Sequence, residues 1–280
     1  MKNYSGFKEM KKYVKILRNP IWALKRIREK YLIIPKFNRK HISSLKKLLQ
    51  EIGYDFNEFN EIVNEFQNFS EVHDFVNQQF AGTGLKSSYP PDKYSWGSLV
   101  YFIIRKTKPD IIVETGCWYG NSSTCILSAL YKNEKGRLYT IDLPALFETG
   151  GYYDENPYRN EEMRTSSLPR GKAPGFIVPD FLKNRWELIY GQTSEKLLPL
   201  LEELGGIDIF LHDSLHSIEN MNFEFNLAYK YLKNRGILAS DNIDWNNVFK
   251  DFSFNKRSCS YLAYYESPLL KDNFGIIIKD

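Results

Sequence analysis

From residue 96 onward, short β-branched and aliphatic runs alternate with longer stretches whose apolar residues recur every three or four positions. The runs predict strands over 110–115, 137–142, 186–190, 207–212 and 236–241, because a strand buried on both faces reads as a continuous apolar segment. The periodic stretches predict helices near 96–107, 121–131, 194–203 and 217–232. In the last of these, Ile218, Met221, Phe225, Tyr229 and Leu232 form one apolar stripe, a core face rather than a cofactor box, with Lys230 and Lys233 near its C-terminal end. Strictly alternating strand and helix implies a parallel sheet covered by helices on both faces. The closing stretch SCSYLAYYESPLLKDNFGIIIKD carries two strand-like runs around a short connection and predicts a hairpin.

Upstream, 41–80 reads as polar helical segments (SSLKKLLQEI, NEFNEIVNEFQ, SEVHDFVNQQF), and the turn-rich AGTGLKSSYPPDKYS marks a boundary near residue 90. This gives an N-terminal extension over 1–90 and an α/β domain over 91–280. The connection at about 145–185 is too long for a simple crossover and predicts a lid or binding loop. Its Tyr152, Tyr153, Arg159, Arg164, Arg170 and Lys172 are candidates to meet an anionic or sugar substrate.

Charge changes the picture at one end only. Residues 1–40 hold thirteen Lys or Arg against Glu9 and Glu29, a local +11 within a chain of net +4, so the remainder is about −7. Within this arm Val14, Leu17, Ile21, Leu24, Ile27 and Tyr31 recur at helical spacing between Lys15, Arg18, Lys25, Arg26, Arg28 and Lys30. Asn19 and Pro20 fit an N-cap and first helical position. Such a helix suits an anionic bilayer surface, through residues 10–34, and equally suits docking on its own domain or on a second subunit of a homo-oligomer. No apolar stretch reaches the roughly 18 residues of a spanning helix, and no secretory signal pattern opens the chain. A cytoplasmic protein, with peripheral contact to the inner membrane face through the arm, is the expectation. Cys117, Cys125 and Cys259 form no CxxC pair and encode neither a disulfide framework nor a thiolate zinc site.

The chemistry gathers where predicted strands end. VETGCWYGNSS (113–123) places Glu114 at a strand end and Gly116 and Gly120 in the following turn, with Asn121, Ser122 or Ser123 able to cap the next helix. The spacing is neither GxGxxG nor GxxxxGK[ST], which disfavours a dinucleotide pyrophosphate or a nucleoside triphosphate. A carboxylate there repels phosphate and accepts from an ammonium group, so an amino-acid-bearing nucleoside fits better. Asp142 ends the second strand, where a carboxylate can accept ribose hydroxyls, and Gln192, Thr193 and Ser194 follow the third, within reach of an adenine edge. Asp213, Asp241 and Asn242 end the fourth and fifth strands, an all-oxygen set suited to Mg²⁺ or another hard divalent cation. Without such a set, the same Asp241–Asn242 pair reads as an Asx turn.

In VETGCWYGNSS, TIDLP and YGQTSEKLLPLL, over about residues 95–280, the chain resembles class I S-adenosylmethionine-dependent methyltransferases. The resemblance implies a Rossmann-like, mostly parallel seven-stranded sheet with a C-terminal antiparallel hairpin. It also implies S-adenosylmethionine as cofactor, with Glu114, Gly116, Gly120, Ser122, Asp142, Gln192, Thr193 and Asp213 around it. IDIFLHDSLHSIEN and GILASDNIDWNN resemble metal-dependent O-methyltransferases of the catechol, caffeoyl-coenzyme A and macrocin types. This implies Asp213, Asp241 and Asn242 as metal ligands, Asp213 and His216 as catalytic residues with His216 the base, and a hydroxylated small-molecule, sugar or lipid-linked acceptor. The lid departs from those families, and Ser240 stands where the macrocin type has an acid. His212, on the strand itself, reads as a buried structural histidine. Two other classes compete. One is an RNA methyltransferase that uses the basic arm, disfavoured because LHDSLH stands where an Asn-Pro-Pro-Tyr base pocket would. The other is a non-catalytic scaffold with the same fold.

Overall fold

A computed structural model describes residues 34–81, 83, 89, 91–143, 168–169, 172–256, 260–267 and 270–279. The basic arm up to residue 33, most of the predicted lid and Cys259 lie outside the described residues. Among the described residues no helix is long and apolar enough to cross a membrane.

Among the described residues three helices come first: α1 (Ile34–Glu51), α2 (Phe56–Gln67) and α3 (Ser70–Phe80). The α/β unit follows as α4 (Trp96–Thr107), β1 (Ile111–Thr115), α5 (Asn121–Asn133), β2 (Arg137–Asp142), a 3₁₀ turn (Asp180–Arg185), β3 (Trp186–Tyr190), α6 (Thr193–Leu204), β4 (Ile207–His212), α7 (Ile218–Tyr231) and β5 (Leu232–Ser240). Helix α8 (Val248–Lys256) and the strands β6 (Ser260–Ser267) and β7 (Leu270–Ile278) complete the chain. The seven strands form one sheet in the order β3-β2-β1-β4-β5-β7-β6. The first five are parallel, and β7 runs antiparallel to both β5 and β6. Strand order reverses between β1 and β4, the switch point where open α/β sheets bind ligands.

Strand pleating divides the core into two layers. Ile112, Leu138, Ile209, Leu211, Ile237 and Ile276 face one side with α4, α5 and the N-terminal helices. Val113, Ile141, Phe210, Leu238 and Ile277 face the other with α6, α7 and α8. Each fully buried side chain of this size contributes roughly 1.5–3 kcal/mol, which is why the period-two alternation fixes the register so firmly.

Helix α4 is buried on nearly every side from Gly97 to Ile104, and such a helix needs cover on both faces. α2 supplies the outer cover: the rings of Phe66 and Tyr101 stack 4.3 Å apart, and the Tyr101 hydroxyl donates to Glu65 at 2.5 Å. The polar-looking segments before residue 80 therefore bury Phe59, Val63, Phe66, Val72 and Val76 in the same core as the sheet. Ser95 caps α4 by accepting from the Ser98 N–H, and Lys108 ends it in a left-handed conformation.

Three expectations need correcting. β5 begins at Leu232, four residues before the expected strand, since α7 stops at Tyr231. After the buried Leu232 come exposed Lys233, Asn234 and Arg235, which gave no apolar run to detect. α8 was not expected; only Val248, Phe249, Phe252 and Ser253 are buried, too short a stripe to stand out. On α7 the buried face is Met221, Glu224, Phe225 and Ala228, whereas Ile218 is 55% exposed and Tyr229 half-buried. The inward face is rotated from the expected stripe, and it contains an acid.

Candidate active site

The β1–α5 turn is held between two strand ends. Gly116 N–H donates to the Ile141 carbonyl at 2.9 Å, and the Trp118 N–H donates to Asp142 Oδ2 at the same distance. On the other flank the Asp213 N–H donates to the Thr115 carbonyl at 2.8 Å. A Cβ on Gly116, at φ +88°, would lie 1.9 Å from the Asp213 carbonyl oxygen, so only glycine lets these two segments touch. Gly120 plays the same part against Gly175, whose own N–H donates to the Trp118 carbonyl.

The expected capping of α5 is not what the structure has. Gly120 itself is the N-cap residue and makes no side-chain cap. Ser123 turns inward and donates to Glu114 Oε2 at 2.5 Å, beside Thr140, which donates to the same oxygen at 2.8 Å. Glu114 is fully buried. Burial pushes its carboxyl up to about 7, opposed by the hydroxyls of Ser122, Ser123 and Thr140 and assisted by the charge of Asp142. Its bonded oxygen anchors the floor of the turn, so any reach toward an ammonium group falls to Oε1, which has no hydrogen bond of its own. Asp142 is raised to about 6 by burial, against the pull of the N–H groups of Trp118, Cys117 and Leu143.

The third station is more open. Gln192 is exposed at the N-cap of α6 without a capping bond, Ser194 is exposed, and the Thr193 hydroxyl donates to Asn220 at 3.0 Å. Two aromatics that sequence reasoning missed stand here: Trp118, 42% exposed at φ +49° and stacked on Tyr119, and Tyr190, 50% exposed at the end of β3. Trp118 lies inside the VETGCWYGNSS motif, but nothing in the spacing announces that its ring is exposed.

Across the switch point, His212 pairs with Ser240 in the β4–β5 ladder, and the Asp241 N–H donates to the His212 carbonyl at 3.1 Å. Asp213, Asp241 and Asn242 thus leave adjacent strand ends together, as expected. Asp241 is buried, and Asn242 takes a left-handed φ of +51° with its Oδ1 buried and without a hydrogen-bond partner. Among the described residues, no three His, Cys, Asp or Glu side chains cluster as a metal site, so a cation here would depend on the Asn242 carboxamide as its third donor. His216 follows on the β4–α7 loop, its ring 4.9 Å from that of His212 and 5.1 Å from that of Trp245. Burial, and then the neighbouring His212, lower His216 to about 3, against Glu224 and a hydrogen bond with the Asp241 backbone. Its Nε2 is buried and unbonded.

His212 is fully buried, as expected of a structural histidine, and its Nδ1 lies 2.7 Å from Glu224 Oε2. Glu224 escaped sequence reasoning; the signal was an acid one turn from Met221 on an apolar helix face. Burial raises its carboxyl, but the facing His212 and the bonds from His212, Thr115 and Ser214 outweigh that and hold it below its ordinary range. Of the candidate lid residues only Lys172 is described: its ammonium donates to Gln79 at 3.2 Å and lies over the Phe176 ring. Tyr152, Tyr153, Arg159, Arg164 and Arg170 lie outside the described residues.

Residues 113–243 match a family model described as a methyltransferase domain, slightly less than half of the chain. A comparison with curated proteins finds no match. Among solved structures, an O-methyltransferase from Bacillus cereus in complex with SAH superposes with a TM-score of 0.51 at 16% identity, over 75% of this chain and 91% of that one. Cofactor-bound Rv0187 from MTB superposes with a TM-score of 0.50 at 13% identity, over 75% and 91%. At these identities the superpositions speak for the fold. The strand order and the built turn at the switch point fit that fold, and over residues 113–243 the chain is similar to a methyltransferase domain. The matched segment runs from β1 to the turn after β5.

Proposed function

We propose that the chain transfers a methyl group from S-adenosylmethionine to a hydroxyl of a small or glycan-type acceptor, lipid-linked where the basic arm meets a membrane. The donor lies along the ends of β1, β2 and β3, the acceptor along those of β4 and β5. One observation carries this reading: Gly116 packs directly on the Asp213 backbone, so the donor turn and the first acidic strand end share one wall. The fold shared with a B. cereus protein described as an O-methyltransferase bound to SAH supports it.

In this reading Asp142 takes the ribose hydroxyls with the carboxylate oxygens left over from the Trp118 N–H, and Trp118 and Tyr190 flank the base with Gln192 and Thr193. Glu114 supports the turn from below and offers Oε1 toward the amino-acid end, with Ser122 and Gly120 beside it. Asp213, Asp241 and Asn242 would hold a divalent cation; the buried, unbonded Asn242 Oδ1 fits a hard-cation ligand. Such a cation, when bound, supplies Lewis-acid lowering of the acceptor hydroxyl's pKa. His216, whose buried Nε2 has no hydrogen bond, is the acceptor proposed for the departing proton. Attack on the sulfonium methyl is a single in-line displacement, so the rate comes from holding two reactants face to face.

The test is calorimetry with S-adenosylhomocysteine, followed by transfer of labelled methyl to a catechol, a flavonoid and a methyl glycoside with and without a chelator. Micromolar binding and transfer lost on chelation are expected. Failure to bind removes the donor site, and transfer that survives exhaustive chelation removes the cation.

A further inference from the structure

Glu224 is fully buried in the middle of α7, on a face otherwise made of Met221, Phe225 and Ala228. A carboxylate there costs several kcal/mol of desolvation unless each oxygen is bonded. Both oxygens are bonded twice, and the donors come from four places. Oε2 takes the Thr115 hydroxyl at 2.6 Å, from the end of β1, and His212 Nδ1 at 2.7 Å, from the end of β4. Oε1 takes the Ser214 hydroxyl at 2.8 Å, from the loop after β4, and Asn220 Nδ2 at 2.9 Å, from the first turn of α7.

The bonds continue outward. Asn220 Nδ2 also reaches the Leu215 carbonyl at 2.9 Å, and Asn246, from the turn after β5, reaches the His216 carbonyl at 3.0 Å. The His212 ring, fixed by Glu224, stands edge-on to His216. The 212–216 segment is therefore tied at its start, middle and end: His212 and Ser214 bond the Glu224 carboxylate directly, Leu215 is tied to it through Asn220, and His216 is held by Asn246. An apolar residue at 224 would leave those four donors without this acceptor and would release that segment.

We propose that Glu224 is a positioning residue for the acceptor half of the reaction, fixing the loop that carries Asp213 and His216 against the end of β1. This rests on the proposed function for the meaning of that loop, but not for its geometry. Glu224 touches neither the donor turn directly nor any proposed metal-ligating atom; its effect passes through His212 and the loop backbone.

Glu224→Gln keeps size and one acceptor while placing a donor against Thr115 and His212. In the ¹⁵N-labelled full chain, wild-type His212 should show the Nδ1–H tautomer, lost in Glu224→Gln together with a displaced His216 ring resonance. S-adenosylhomocysteine affinity should stay within about twofold, while kcat for the catechol or glycoside acceptor falls about thirtyfold with KM within about threefold. A folded Glu224→Gln with wild-type His216 resonances, or with wild-type kcat, overturns the proposal. If that variant does not fold, Thr115→Val removes one donor and leaves three, and should lower kcat about fivefold at unchanged donor affinity. Wild-type kcat there also overturns it. If the wild-type chain methylates no acceptor, the proposed function fails, and the ring resonances alone decide whether Glu224 positions the loop.

Discussion

The carboxylate of Asp142, at the end of β2, accepts a hydrogen bond from the backbone N–H of Trp118 in the turn after β1, at 2.9 Å. The bond makes Asp142 part of the turn before any ligand arrives, and it ties the ribose end of the proposed donor site to the glycine turn. Asp142→Ala should therefore weaken S-adenosylhomocysteine binding by more than the loss of one ligand bond, about a hundredfold or roughly 3 kcal/mol. Asp142→Asn, which can still accept from Trp118, should fall between. Calorimetry on the two variants checks the ranking; equal losses would show that the turn does not depend on this carboxylate.

Gly116 and Gly53 have nearly the same backbone angle, φ +88° and +84°, but different surroundings. A Cβ at 116 meets the Asp213 carbonyl at 1.9 Å, while at 53 it meets nothing within 4 Å. Gly53→Ala should cost about 1 kcal/mol from backbone strain alone. Gly116→Ala must separate β1 from β4 at their ends, and should abolish donor binding while lowering thermal stability well beyond Gly53→Ala. Comparable melting temperatures for the two variants would contradict the close approach.

Glu114 makes stability depend on pH in a definite direction. Its folded pKa of about 7 lies above the ordinary 4.5, so the folded protein holds a proton that the unfolded chain has released between those values. The stabilisation is complete below about pH 4.5 and is lost as pH rises through 7, on the order of 3 kcal/mol in all. Urea unfolding of wild type and Glu114→Gln between those pH values should give a difference that grows with the stability of the variant relative to wild type as pH rises. A pH-independent difference would mean that Glu114 ionises normally.

The corrected face of α7 separates two neighbouring apolar residues. Met221 is fully buried and Ile218 is 55% exposed. Met221→Ala should cost about 2–5 kcal/mol through the cavity it leaves, and Ile218→Ser less than about 0.5 kcal/mol. Denaturant midpoints read both.

Removal of the proposed cation site has its own signature. Asn242→Ala should weaken Mn²⁺ binding by at least about tenfold in calorimetry with little change in S-adenosylhomocysteine affinity. Mn²⁺ binding equal to wild type would take the Asn242 carboxamide out of the site.

Much of this was legible in the sequence because strands buried on both faces leave uninterrupted apolar runs. IIVET, RLYTID, WELIY and IDIFLH each gave a strand within a residue of its observed bounds, and strand ends are where an open α/β sheet puts its chemistry. Glu114, Asp142, Asp213 and Asp241 could therefore be picked out as strand-end acids without coordinates. What those acids do at the strand ends was another matter. Only the tertiary structure shows that Glu114 is sealed beneath Ser123 and Thr140, that Asp142 grips the Trp118 backbone, and that α7 turns Glu224 rather than Ile218 inward. The physical reason is range: periodicity along a chain reports which face of an element is apolar, whereas the partner of a buried polar atom comes from a segment up to 109 residues away, as Thr115 does for Glu224.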